Sequence, residues 1–206
     1  INYRDWSSDV CSSDLALNPL PGKGRNPVCR TGNIDGNLIH IDMVEAVEKL
    51  NPSFLLNVVM NASGKIGWAV AGNWKEAYRK GMEIVDSVDA VEIPEKADLV
   101  VASACGYPKD INFYQTSKTF FNAQEALKPG GSMLILSACT EGYGNAEVQK
   151  MLLDFKDNDA REAELRREFT IAKHVGFCTG EAAEKFDFHL VTKMDPALLE
   201  GTGVIA

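Results

Sequence analysis

Basic residues are scarce in this 206-residue sequence: 21 Lys and Arg stand against 29 Asp and Glu, leaving a formal net charge of −8. A surface that binds nucleic acid or an anionic membrane needs concentrated positive charge, so this balance argues against both partners. No apolar run approaches the roughly 20 residues of a membrane-spanning helix, and no secretory signal pattern is present. The five cysteines form no C-x-x-C pair and no His-Cys cluster. We therefore predict reduced thiols, no zinc site and a cytoplasmic protein.

The two ends of the sequence predict a fragment of a longer protein. Residues 1–15 are rich in Ser and Asp and have no helical or strand period. Residues 9–15 read as the translation of a common sequencing-adapter stretch, although a polar native tail is an alternative. The chain stops on Gly-Val-Ile-Ala without a polar tail. We therefore leave residues 1–15 out of the fold prediction and expect part of the chemistry to lie in a missing portion.

Apolar periodicity predicts two units of different type. The first has a helix at 42–50 with Asp42 as its N-cap, a hairpin of strands 54–60 and 66–71, and a helix at 74–85. A boundary is expected at 91–96, which contains Pro94. Strands are then predicted at 98–103, 132–138 and 186–192, with helices at 114–127 and 146–155. Residues 128–131 are predicted to end the first of these helices. This alternation predicts an α/β fold, a Rossmann-like parallel sheet with helices, preceded by an α+β tail.

Two loops follow predicted strands, at 104–113 and 139–145, where α/β proteins bind ligands. After the first loop, Tyr114, Gln115 and Lys118 lie opposite a stripe of Phe120, Ala123 and Leu127. Unpaired backbone N–H groups in a first helical turn favour an anion, so these three side chains could bind a small carboxylate. Polar residues opposite an apolar stripe are more often simply exposed. Gly142 and Gly144 could let backbone approach a ligand, but such glycines more often serve tight turns.

Other chemically active side chains are predicted to be structural. The charged stretch 157–168 is expected to be a solvated helix face. His40 precedes a predicted helix cap, His174 lies in an apolar helix and His189 in a strand, so each is expected to pack or cap. Cys105 opens the first loop, but no base is identifiable for it, which disfavours a nucleophile.

Three stretches, in the same order, resemble the nickel-dependent lactate racemases and their homologues. Residues 30–43 hold R-T-G-N followed by N-L-I-H-I-D-M, and residues 57–73 hold N-V-V, G-K-I and A-G-N. The longest and most specific is G-Y-P-K-D-I-N-F-Y-Q-T-S-K at 106–118, which matches the signature G-Y-P-x-D-x-N-x-Y-Q-x-x-K. The resemblance is clear from Arg30 to Asn145 and fainter to the end.

The resemblance implies a two-domain enzyme with its active site in the cleft between domains. Its cofactor would be a nickel-pincer nucleotide attached to a lysine, with a histidine among the nickel ligands. The family reaction removes a hydride from C2 of a 2-hydroxy acid and returns it to the other face, while two histidines move the hydroxyl proton. Tyr114, Gln115 and Lys118 match the Y-Q-x-x-K positions of the family signature, so the resemblance implies that they bind substrate. Gln115 and Lys118 would lie toward the substrate carboxylate.

This sequence departs from the family pattern in the region that would carry the cofactor and catalytic residues. The cofactor lysine, in a G-G-R-K-type motif, and the nickel histidine belong upstream of R-T-G-N, where this chain has residues 1–15 and a short stretch beyond. Lys23 lacks the context of that motif, and His40 matches neither the nickel ligand nor the acid/base pair. No catalytic or metal-binding residue is therefore predicted in this chain, which alone should be inactive. The predicted division is 1–15 artefact, 16–90 the end of the racemase N-terminal domain, and 91–206 a C-terminal Rossmann-like domain truncated at its end.

Two other functions remain open. The L-K-P-G-G stretch at 127–131 before an apolar strand is common in methyltransferases, although the glycine-rich cofactor loop of that class is not found. A non-catalytic domain that binds a small acid is the other. In either racemase or binding role the expected partner is a small 2-hydroxy acid; the particular acid and the oligomeric state are left open.

Overall fold

The computed structural model describes residues 13–61 and 63–206. Most of the predicted artefact segment, residues 1–12, therefore lies outside the described residues. The chain divides into two compact units. We call residues 28–92 the hairpin unit, and the described residues 13–27 together with 93–206 the sheet unit. Within the described part of the chain, no helix combines the length and the apolar composition that a membrane span requires.

The hairpin unit contains the predicted antiparallel pair, which is confirmed. Helix α1 (Leu38–Leu50) precedes strands β1 (Leu55–Met60) and β2 (Ile66–Gly72), and helix α2 (Trp74–Asp89) follows them. The strands pair from Leu55↔Gly72 to Met60↔Ile66, with a register shift at Val59/Met60. Helix α2 packs against both strands.

The predicted cap of the first helix is wrong. Asp42 lies inside α1, and Asn37 is the N-cap: its side-chain oxygen accepts the backbone N–H groups of Ile39, at 3.1 Å, and His40, at 3.3 Å. Asn accepts these otherwise unpaired N–H groups as well as Asp does, so sequence preference alone could not choose between the two positions.

The sheet unit is a four-stranded parallel sheet in the order β3-β4-β5-β6, which confirms the predicted α/β class. Its strands are β3 (Ala97–Ser103), β4 (Leu127–Leu136), β5 (Asp187–Val191) and β6 (Val204–Ile205). Its helices are α3 (Phe113–Ala123), α4 (Ala146–Leu153), α5 (Asn158–Arg167) and α6 (Ile171–Lys185). Short 3-10 turns lie at Ser13–Ala16, Gln124–Ala126 and Pro196–Leu198.

The stop predicted at 128–131 lies instead within β4, which begins at Leu127. The strand accommodates the glycines through a register shift: Ala97 pairs with Leu127, and Leu99 pairs with Ser132. A Cβ on Gly131 would lie only 3.0 Å from the carbonyl oxygens of Asp98 and Lys128, so a residue without a side chain allows this close approach. The glycines therefore mark an irregular strand rather than the end of a helix.

The helices pack on one face of the sheet and enclose the core. Fully buried Phe113, Phe120 and Phe188 meet there, with ring centroids of Phe120 and Phe188 4.9 Å apart. Met133 and Ile135 of β4 point into the same core and are 0% exposed. Alternate residues of each strand thus supply the apolar contacts that hold α3 and α6 to the sheet.

The prediction that 157–168 is a solvated face is wrong for part of α5. Arg161 and Glu162 are buried, as is Leu165. Arg161 donates from Nε to the Met151 carbonyl, at 2.7 Å, and from Nη2 to the Leu152 carbonyl, at 3.2 Å. Because the last carbonyls of a helix have no partner within it, Arg161 satisfies the end of α4.

Residues 16–27, predicted with the N-terminal domain, pack in the sheet unit. Leu17 is 2% exposed and belongs to that unit's core. The Glu162 carboxylate accepts the backbone N–H groups of Gly22 and Gly24, both at 2.8 Å, and Arg25 forms an ion pair with Glu181. These contacts join segments about 140 residues apart, which no local pattern reveals. The other predicted boundary, 90/91, lies two residues from the division at 92/93.

Candidate functional site

Two loops meet at the carboxyl ends of β3 and β4, the edge at which the sequence predicts a ligand site. We call residues 104–112 loop A and residues 137–145 loop B. The backbone N–H of Cys139 donates to the Asp110 carbonyl, at 2.8 Å, and that of Glu141 donates to the Ile111 carbonyl, at 2.9 Å. A cis peptide joins Tyr107 to Pro108 within loop A. The two loops are therefore joined to each other, and they place the start of α3.

The first turn of α3 has no backbone N–H left for a ligand. Phe113 N–H donates to Gly142 O at 2.9 Å, and Tyr114 N–H to Tyr143 O at 3.1 Å. Gln115 N–H donates to the Asn112 side-chain oxygen at 2.9 Å, and Thr116 N–H to the Asn112 carbonyl at 3.1 Å. The expectation that unpaired N–H groups there would attract an anion is wrong, because loop B and the cap residue occupy them. A carboxylate at this edge would have to be bound by side chains.

Tyr114, Gln115 and Lys118 lie on the first two turns of α3, and all three are half-buried. Tyr114 packs against the core of the sheet unit. The predicted stripe is correct for Phe120 and Ala123, both buried, but Leu127 belongs to β4 because α3 ends at Ala123. The helix brings the three polar side chains together through its spacing; their contact with a substrate stays a prediction.

A third segment at this edge was not predicted. After β5, the backbone N–H of Lys193 and the hydroxyl of Thr192 both donate to the Ala138 carbonyl of loop B, at 2.9 and 3.0 Å. The N–H of Ser137 donates in turn to the Val191 carbonyl, at 3.0 Å. Lys193, a charged residue directly after the predicted strand 186–192, was the signal that could have indicated this segment.

A small buried polar cluster lies beneath the loops. The Thr116 hydroxyl is 2.6 Å from the Ser137 hydroxyl and 3.3 Å from the Cys139 sulfur, and all three residues are buried. Thr116 also donates to the Asn112 carbonyl, at 2.9 Å. Buried polar groups are stable only when hydrogen-bonded, so this cluster holds α3 to the end of β4 and fixes the start of loop B.

Tyr143 of loop B is an anchor rather than an acid or base. Its hydroxyl donates to the Leu198 carbonyl at 2.6 Å, and burial raises the pKa of Tyr143 to about 12. The phenol therefore stays protonated at neutral pH. It ties loop B to the 3-10 turn Pro196–Leu198, the segment between β5 and β6.

His174, which the sequence predicts to be structural, is buried in α6 beside Cys178. His174 and Cys178 lie one turn apart in α6, both buried, with Nε2 and Sγ separated by 3.4 Å. Burial, with the charge of Arg25, lowers the pKa of His174 to about 3, and burial raises the pKa of Cys178 to about 12. The pair is thus an imidazole and a thiol, both neutral, which lack the thiolate a nucleophile needs.

His40, His189 and Cys105 lie on three different elements. His40, inside α1 rather than before its cap, stacks on Tyr78 with ring centroids 6.0 Å apart. His189 is half-buried on β5, and Cys105 is exposed in loop A.

Comparison with known proteins agrees with this architecture. A family model described as the lactate racemase C-terminal domain matches residues 92–173, which include β3, both loops, α3 and β4. Residues 92–173 are therefore similar to the lactate racemase C-terminal domain. The chain is also 39% identical over 133 residues to a lactate racemase of Thermoanaerobacterium thermosaccharolyticum, covering 65% of this chain and 31% of that protein.

Two further matches carry the same name. The chain is 32% identical over 132 residues to a lactate racemase of Lactiplantibacillus plantarum, covering 64% of this chain and 31% of the relative. The solved lactate racemase apoprotein from Thermoanaerobacterium thermosaccharolyticum superposes with a TM-score of 0.81 at 31% identity, over 87% of this chain and 44% of that one. The chain thus spans less than half the length of the proteins it matches.

The chain offers no metal centre among its described residues. Across residues 13–61 and 63–206, no group of three or more His, Cys, Asp and Glu side chains is placed to hold a metal ion. His174, the most enclosed histidine, faces a cysteine and two phenylalanine rings. The described residues therefore do not fit the nickel group that the family resemblance implies.

Proposed function

We propose that this chain is part of a racemase or epimerase of lactate-type 2-hydroxy acids and that α3 lines the substrate side of its site. The family match supports this, since residues 92–173 contain the whole of α3 and the loops that place it. Both relatives are lactate racemases, which supports the substrate class. A small 2-hydroxy acid is the expected ligand, and the cytoplasmic location stays a prediction.

In this proposal, side chains of α3 bind the substrate carboxylate. The Lys118 ammonium and the Gln115 amide donate hydrogen bonds to it, and the Tyr114 hydroxyl donates a third. The binding depends on side chains because the first-turn N–H groups of α3 already have acceptors in loop B and Asn112. A hydrogen bond to a charged group contributes about 1.5–3 kcal/mol, so two or three are enough to orient a small acid.

Holding the carboxylate fixes C2 while its hydrogen is exchanged between the two faces. The resemblance assigns that exchange to a nickel-pincer cofactor, with hydride removal and return. Its lysine, nickel histidine and acid/base histidines are expected in polypeptide outside this chain. We assign no step of the exchange to the residues described, and we expect this chain by itself not to racemise lactate.

The test uses a chimera in which this chain replaces the matching part of the Thermoanaerobacterium thermosaccharolyticum racemase. Lys118→Ala should lower kcat/KM for D- and L-lactate by about 10- to 100-fold, the factor that corresponds to one charged hydrogen bond. Lys150→Ala, which removes an exposed lysine of α4, is the matched control and should leave turnover unchanged. Equal turnover in both variants would remove Lys118 from the site.

Ligand binding to the full 206-residue chain separates the other functions. Lactate bound by this chain and a chimera that never racemises it would indicate a non-catalytic small-acid-binding domain. Binding of S-adenosylmethionine, measured by calorimetry, would favour a methyltransferase-like domain and contradict the racemase proposal.

A further inference from the structure

The parallel sheet has one face packed against helices and one face that is apolar and exposed. Along β3 and β4, Val100, Ala102, Met133 and Ile135 face the helices and contribute to the core. The alternate residues point the other way. Leu99 and Val101 are 57% and 56% exposed, and Val191 and Ile205 are 52% and 50% exposed. We call this surface the open face; its apolar members are Leu99, Val101, Leu134, Leu136, Val191 and Ile205.

Strand register makes the open face continuous. Val101 pairs with Leu134, which pairs with His189, which pairs with Ile205. In the adjacent row Leu136 pairs with Val191. Paired residues on one sheet face are neighbours, so these side chains form two adjoining rows across the sheet. Exposed apolar rows of this extent indicate a surface that another protein segment covers.

The strand order explains why the sheet unit's own helices do not cover this face. The strands lie side by side in chain order, so each crossover moves in the same direction across the sheet. Crossovers between parallel strands are right-handed, which puts every connecting helix on the same side. Accordingly α3 contacts β3 and β4, and α6 contacts β5. Parallel sheets are normally covered by helices on both faces, so we expect the second layer to come from outside the sheet unit.

We propose that the open face is the docking surface for a helical layer supplied by the part of the racemase polypeptide that this chain does not span. The proposal rests on the proposed function, since it takes the parent to be a racemase. We infer this occupant because much of the relatives' length has no counterpart in this chain. The chain covers 44% of the solved racemase chain and 31% of the curated relatives. The chemistry agrees, because six of the side chains in these rows are Leu, Val or Ile, which accept the apolar side of a helix.

The test compares two pairs of lysine substitutions in two settings. Leu99→Lys with Leu136→Lys places two charges on the open face, where the leucines are 57% and 38% exposed. The control, Leu20→Lys with Leu153→Lys, makes the same change at leucines of the sheet unit that are 64% and 43% exposed and lie off this face. Each pair is made in the 206-residue chain and in the chimera with the Thermoanaerobacterium thermosaccharolyticum racemase.

In the chain alone, both pairs should change the melting temperature by at most a few degrees, because all four positions are exposed. In the chimera, the open-face pair should lower it by about 5 °C or more, since covered lysines are left without partners. The control pair should remain tolerated. Equal tolerance of both pairs in the chimera would overturn the proposal. The readout is unfolding, so a chimera that shows this difference without racemising lactate contradicts the proposed function alone.

Hydrogen exchange and light scattering provide two further tests of the proposal. If the chimera is insoluble, the unmatched part of the Thermoanaerobacterium thermosaccharolyticum protein is mixed with this chain. Hydrogen exchange of β3 and β4 should then slow, and no slowing overturns the proposal. Light scattering identifies the other occupant: a dimer of this chain that the open-face lysines dissociate would show that a second copy covers the face, which also overturns it.

Discussion

The side chain of Asn112 occupies the space that a side chain on Gly144 would need. A Cβ added to Gly144 would lie 2.3 Å from Asn112 Cγ. Asn112 in turn caps α3 by accepting the Gln115 N–H at 2.9 Å. Loop B therefore sets the position of the cap, and through it the first turn that carries the proposed substrate side chains.

Substituting Gly144 with alanine should destabilise the fold more than the same change two residues away. Gly142 and Gly144 both have positive φ, +62° and +69°, so alanine at either costs about 1 kcal/mol or more in backbone strain. Only at Gly144 does the new Cβ collide, and overpacking of this kind adds about 1–3 kcal/mol. Nothing lies within 4 Å of a Cβ on Gly142, which makes Gly142→Ala the control. Urea unfolding measures both, and equal losses would show that Asn112 moves aside without cost.

Replacing Glu162 with glutamine should loosen the attachment of residues 18–25. Burial raises the pKa of Glu162, but hydrogen bonds from Arg166, Gly24 and Gly22 outweigh it and lower the pKa below its ordinary value of 4.5. Glu162→Gln should cost about 1–3 kcal/mol in the free energy of unfolding at pH 7, because one charged acceptor of these bonds is lost.

The same pKa shift sets the pH dependence of that loss. A carboxylate with a lowered folded-state pKa stabilises the protein above the unfolded value and loses the effect as the pH falls through the folded value. The difference between wild type and Glu162→Gln should therefore be largest near pH 7 and shrink below about pH 4.5. Glu200→Gln, at an exposed position, is the control and should match wild type at pH 7. A difference that does not change between pH 7 and 3.5 would show that charge has no part in it.

His174 should make the fold sensitive to mild acid. Its folded-state pKa of about 3 lies below the ordinary 6.5, so below pH 6.5 the unfolded chain takes up a proton that the folded chain does not. Stability is thus complete above pH 6.5 and falls toward pH 3; at pH 5 the loss amounts to about 2 kcal/mol. His174→Leu should reduce the difference in unfolding free energy between pH 7 and pH 5 by about that amount. Phe188→Leu, a buried change on β5 without a titrating group, should lower stability equally at both pH values.

Local sequence patterns were sufficient to predict the strands that have a clear run of apolar residues. The hairpin of β1 and β2 and the strands β3 and β5 were predicted to within about two residues, because alternating or continuous apolar runs between turn residues have few other interpretations. Strand β6 was missed, since two residues carry no period. Helix α5 was identified as a helix, but its buried Arg161 and Glu162 look in sequence like any charged surface positions.

The sequence predicted the edge at which the two loops meet, but not how their polar groups are hydrogen-bonded. Loops after β3 and β4 had to lie at the carboxyl edge of a parallel sheet, and the motif at 106–118 indicated which helix to consider. The sequence could not indicate that loop B carbonyls accept the first N–H groups of α3, nor that Thr192 and Lys193 bond to Ala138. Those partners are 29 to 55 residues apart along the chain, and only folding brings them together.

The sequence by itself determined the α/β class, the position of the hairpin and the similarity of residues 92–173 to the lactate racemase C-terminal domain, because each depends on residue patterns along a short stretch. The tertiary structure decided which polar groups are already bonded and which surfaces are covered. It paired Glu162 with Gly22 and Gly24, used the N–H groups of Phe113 and Tyr114 within the fold, and left the open face exposed. Hydrogen bonding and burial depend on distance in space, and distance in space between remote residues is a property of the folded chain alone.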